Sequence, residues 1–247
     1  MTHRCIARAV LITTALLFGV GPSCIDAHAE GFDKPIRKTD LDLGPSPNQP
    51  DFPNLHVHLS CYYYPAFVVK ELDDDGNKGA LRISILRVDD AKAPRCIRSL
   101  RTGERTFPRY PGYFWGVKDQ LVFVINDDSE GEGRFFVVYD GITMNRTFRD
   151  ASRFNTEPYF SRTADGRSSM RYQRVFLADC SLVKNGVECW RHVVRQTGLR
   201  IGAMPKCSGY DDDVADLSLI AFPVEVVLAP KPGRKILAGP VLCFAAQ

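Results

Sequence analysis

The chain has 247 residues, 45% of them apolar and 11% aromatic, enough to build a core of domain size. Its 32 basic and 29 acidic side chains leave a formal net charge of +3, too small an excess for a dedicated nucleic-acid binder.

The first 29 residues read as an export signal. Arg4 and Arg8 make a basic start, and the apolar run Ala9–Val20 is too short to span a bilayer as a helix. Ala27-His28-Ala29 is a small-x-small cleavage pattern, which places the mature start at Glu30. A lipid anchor on Cys24 is the lesser alternative, because Gly21 and Pro22 fill the preceding positions poorly. No later stretch is long and apolar enough for a membrane span, so a soluble protein, periplasmic or secreted, is expected.

Residues 30–54 carry Pro35, Pro45, Pro47, Pro50 and Pro53 and little apolar periodicity, which predicts a flexible leader. A single domain is expected over residues 55–247. Within it, runs rich in Val, Ile, Phe and Tyr alternate with polar, glycine-containing turns. Phe67–Leu72 and Ala80–Val88 flank one turn; Leu121–Ile125 and Arg134–Tyr139 flank a second. Arg174–Ala178 leads toward a third at Asn185-Gly186, and Leu219–Leu228 precedes a fourth at Pro230–Gly233. The turn glycines at 79, 133, 186 and 233 are nearly evenly spaced, so a small four-bladed propeller stands beside a sandwich or barrel of antiparallel hairpins. One segment breaks the pattern. Trp190, Val193, Val194 and Thr197 fall at helical spacing ahead of Gly198, predicting a short helix over 188–197 with a glycine cap.

Cys61, Cys96, Cys180, Cys189, Cys207 and Cys243 follow the signal, an even number that in an exported chain predicts disulfides. Proximity pairs Cys61 with Cys96 and leaves the other four to pair among themselves. Cys-x-x-Cys spacing is absent, which argues against structural zinc, and no cofactor motif occurs.

Candidate chemistry is sparse. His56 and His58 stand two apart in a strand and so share a face; with His192 and an aspartate from Asp211–Asp213 they would form a metal-assisted hydrolase site. The acidic turns at Asp73–Asp75 and Asp127-Asp128 lack the closing acid of a calcium loop and read as hairpin turns. Ser181-x-x-Lys184 lacks the companion elements of a serine–lysine acyl-transfer site and reads as a strand end. Two segments concentrate arginine. Arg95–Arg109 holds five against the single acid Glu104, and Arg146–Arg174 holds seven against Asp150, Glu157 and Asp165. In the first, Arg98, Arg101, Arg105 and Arg109 interleave with Tyr110, Tyr113 and Trp115, a composition suited to a protein partner or an anionic glycan. The expectation is therefore a non-enzymatic binding module acting through that surface or through the strand-joining loops, with the hydrolase as the alternative.

Overall fold

The computed structural model describes residues 30–88, 94–108, 112–126, 133–154, 156–200, 202–208, 217–228 and 231–245. The signal segment with Cys24, and the acidic run Asp211–Asp213, lie outside them. The architecture is mainly β with one helix, as the periodicity implies, and its strands form two sheets.

The smaller sheet has the order β1-β2-β3-β4-β5, built from β1 (Arg37–Pro45), β2 (His56–Tyr63), β3 (Phe67–Asp74), β4 (Arg82–Arg87) and β5 (Arg105–Thr106), all antiparallel. β2 alternates buried and half-buried positions without a break, the period-2 signature of a strand with one face in a core.

The larger sheet starts with β6 (Tyr113–Lys118), β7 (Leu121–Asn126), β8 (Arg134–Asp140) and β9 (Arg146–Ser152). It continues through β10 (Tyr159–Arg162), β11 (Ser168–Ala178), β12 (Cys207–Ser208), β13 (Ser218–Val227), β14 (Gly233–Ile236) and β15 (Leu242–Ala245). Its main path is β12-β15-β13-β11-β9-β8-β7-β6, with β10 on β11 and β14 on β13.

The continuous apolar runs of β7 and β8 have a simple cause: both faces are buried. Val122, Val124, Val137 and Tyr139 pack against Phe67, Val69, Ile83 and Ile85 of the smaller sheet. Phe123, Ile125, Phe136 and Val138 point the other way, into a core shared with Met170, Tyr172, Phe222, Val224 and the helix residues Trp190 and Val193. The result is sandwich-like. Two continuous sheets replace the four separate blades of a propeller, and neither closes into a barrel.

The helix α1 (Leu182–Thr197) is longer than the periodicity alone indicates. Ser181 is its N-cap, accepting from the Lys184 N–H, so Ser181–Lys184 starts a helix and does not end a strand. The Asn185-Gly186 turn signal appears as an interruption at Gly186 (φ 47°, ψ −120°), and Gly198 caps the end in the left-handed region. With a helix in place of the third hairpin, the even glycine spacing has no architectural counterpart.

The leader is also corrected. Residues 37–45 form β1 on the edge of the smaller sheet, and Phe32 packs 5.1–5.3 Å from the rings of Trp115, Phe123 and Phe160. The buried Asp74 carboxylate accepts from the Asn48 side chain (2.7 Å) and the Gly76 N–H (3.0 Å), tying the proline-rich loop down. The prolines occupy turns and a strand end while apolar anchors on either side do the fastening.

Three disulfides, Cys61–Cys96, Cys180–Cys189 and Cys207–Cys243, match the expected pairing. Among the described residues no helix is long and apolar enough to cross a membrane.

Candidate functional site

The arginine–aromatic segment divides on folding. Its first part is a strap across the outer face of the smaller sheet, joined to β2 by Cys61–Cys96. Lys70 Nζ, nearly buried, donates to the Ser99 carbonyl (2.9 Å) and pairs with Glu104 (2.9 Å), while Ser84 donates to Glu104 (2.6 Å). Arg98 is exposed and its carbonyl accepts from the Arg82 guanidinium. The Arg101 guanidinium donates to the Arg95 carbonyl (3.0 Å), and that of Arg105 to the Thr143 carbonyl (2.9 Å). The aromatics belong elsewhere. Tyr113 accepts the Gly79 N–H on its hydroxyl (3.0 Å), and Trp115 packs edge-on against Phe32. Arg109 and Tyr110 lie outside the described residues. Among the described residues, Arg101 and Arg105 thus donate to main-chain carbonyls while Tyr113 and Trp115 pack elsewhere, so these do not line one surface.

The histidines are likewise dispersed. His56 Nδ1 lies 2.7 Å from Asp42 and His58 Nε2 3.1 Å from Asp75, both on the smaller sheet. The hydrogen bond to Asp42 raises the His56 pKa above its ordinary value. His192 is on α1, with Nε2 3.0 Å from Asp179 in an alignment too poor for a hydrogen bond. Among the described residues no three His, Cys, Asp or Glu side chains converge as a metal site would require.

The second arginine segment behaves differently. β9 and β11 are neighbours in the larger sheet but share one rung, Ser152 with Arg174; from there they diverge. Between them opens a cleft of about 530 Å³, within the usual range for ligand pockets. Arg146 and Arg149 come from β9, Arg174 from β11 and Arg234 from β14. Phe135 of β8 and Leu177 of β11 add half-exposed apolar surface.

Asp150 organises this cleft. Its side chain is only 5% exposed and accepts from Tyr172 Oη (2.5 Å), Arg174 Nε (2.9 Å) and Arg234 (2.9 Å). Burial, followed by the negative charge of Asp150, pushes the Tyr172 phenol pKa far up, so Tyr172 remains a donor. Arg174 also stacks over Phe222, and Arg234 over Phe148, which fixes their planes. Asp150 offsets one positive charge and leaves three. Arg146 and Arg149, both exposed, pair with no acid among the described residues. A cleft with fixed guanidiniums, two free ones and an apolar margin is suited to carboxylate, sulfate or phosphate groups on a partly apolar ligand.

Compared with protein families, with curated proteins and with solved structures, the chain finds no match. The cleft's chemistry is therefore the basis for a functional reading. The arginine density of 146–174 was its only signal in the sequence; that Arg234 joins Arg174 on Asp150 had none.

Proposed function

We propose that this protein is an exported binding module that holds an anionic ligand in the arginine-lined cleft between β9 and β11. The observation that carries this reading is that Arg146, Arg149, Arg174 and Arg234 line one cavity of ligand size, the last two held by a single buried aspartate. Three disulfides support the exported compartment, since cytosolic proteins rarely keep them. The hydrolase reading has less support, because His56 and His58 sit on β2 of the smaller sheet while His192 is on α1, and each lies beside its own aspartate.

The test is fluorescence anisotropy with labelled polyglutamate and a labelled sulfated oligosaccharide at low and high salt. Binding of at least one probe, weakened by salt, is the expected result. An Arg146→Ala/Arg149→Ala double variant should lose about tenfold or more in affinity while its melting temperature stays within a degree or two, since these side chains are exposed. Arg98→Ala/Arg101→Ala is the control and should leave affinity unchanged, since neither residue lines the cleft. No binding of either probe, or an equal loss in both double variants, would overturn the assignment.

A further inference from the structure

The cleft is also an opening in a β-sheet. On the side of β11 that faces β9, Ser168–Arg171 pair with β10 and Arg174 meets Ser152 of β9. Residues 175–178 continue as a strand beyond that rung, held on the other side by β13, and form no further rung with β9. β9 mirrors this: it pairs with β8 throughout, yet among the described residues its opposite edge carries no rung from Arg146 to Ala151. In the register set by Ser152–Arg174, the next rungs would be Ala151–Val175, Asp150–Phe176 and Arg149–Leu177. They are missing from the ladder, and the Ala151 N–H turns instead to its own Asp150 carboxylate (3.0 Å).

Two strands of one sheet therefore present main-chain donors and acceptors to the same cleft, and an open strand edge is a template for another extended chain. A glycan or a small anion satisfies the guanidiniums and leaves these edges to water; an extended polypeptide satisfies both. Alternation along an added strand would send one set of side chains toward Arg174 and Arg234 and the other toward Arg146 and Arg149, which share their face with Phe135 and Leu177.

We propose that the ligand of the β9–β11 cleft is an extended acidic polypeptide segment, added as a short strand along the open edges of β9 and β11. This rests on the anion-binding reading above. The open stretch of β11 templates about four residues, which sets the length of the recognised segment.

The experiment compares three labelled probes on the intact mature protein: a capped Glu-Val-Glu-Val-Glu peptide, the same peptide N-methylated at alternate peptide bonds, and a sulfated oligosaccharide. The unmodified peptide should bind about tenfold or more tightly than its methylated form, since only the main-chain donors differ. Its binding should also slow amide hydrogen exchange at Arg149 and Leu177. Equal affinity of the two peptides would overturn strand addition while leaving the anion site intact. Binding of the oligosaccharide alone would do the same in favour of a glycan. Failure of all three probes would overturn the anion-binding reading itself.

Discussion

Individual side chains here are governed by where the two sheets meet. Glu71 of β3 is buried on the inter-sheet side, with Oε1 accepting the Phe114 N–H of β6 at 2.7 Å. Burial outweighs that bond and pushes its carboxyl up to about 7. The unfolded chain releases this proton near 4.5, so the folded protein binds more protons between those values and stability falls as pH rises through the window. The full penalty, on the order of 3 kcal/mol, applies above pH 7. Glu71→Gln keeps the acceptor oxygen and removes the charge. Urea melts at pH 5 and pH 8 should show the variant matching wild type at the lower pH and exceeding it at the higher one. An unchanged difference between the two pH values would show that Glu71 does not titrate in this range.

The same logic separates the two arginine segments. In the strap, Lys70 and Glu104 pair in the interior and the guanidiniums of Arg101 and Arg105 go to main-chain carbonyls, which uses the segment's polar capacity to hold the strap down. In the cleft, Arg146 and Arg149 pair with no acid among the described residues, which leaves them available to a ligand. Composition does not distinguish the two cases. Which carbonyls and carboxylates lie within reach is a property of the folded chain.

At the scale of elements, the strap depends on Cys61–Cys96, which closes a loop with a sequence separation of 35. Lys70, Ser84 and Tyr63 are anchors on β2–β4 that hold it only while it is docked: Tyr63 Oη donates to the Pro94 carbonyl at 2.9 Å. Cys61→Ala/Cys96→Ala should cost about 2–5 kcal/mol and lower the melting temperature, read by circular dichroism. Because no strap residue lines the cleft, affinity for the anionic probe at a temperature where both proteins are folded should be unchanged. Loss of affinity there would link the strap to the site. The helix illustrates how far local signals reach. Trp190, Val193 and Val194 announced its buried face, and Gly198 its end, because a 3.6-residue period and a left-handed cap are written in the sequence. Its first turn was not legible. Val183 and Val187 are exposed, and Gly186 breaks the period, so Ser181 looked like a strand end.

For the whole molecule, residues before the first expected strand are part of the structure. Phe32 is wedged among Trp115, Phe123 and Phe160, and Gly116 is what makes room, since a Cβ there would come within 2.5–2.8 Å of the Phe32 ring. Phe32→Ala should cost about 2–4 kcal/mol in a denaturant melt, a little under the value for a fully enclosed ring. Gly116→Ala should destabilise in the same direction by displacing the ring, and combining the two should cost less than their sum. Additive losses would show that Phe32 and Gly116 do not share a site.

By itself the sequence determined the class of the fold, the Cys61–Cys96 pair and the positions of many strands, because these depend on periodicity, turn residues and short separations along the chain. It left the pairing of the other four cysteines open. Tertiary structure decided everything that required distant segments to meet. Proline content marked 30–54 as loose, yet Phe32 and β1 are fastened by residues far along the chain. The paired arginine segments looked alike until one became a strap and the other, with Arg234 from β14, closed around Asp150. A ladder that stops after one rung leaves no trace in composition, since strand residues look the same whether or not a neighbour pairs with them.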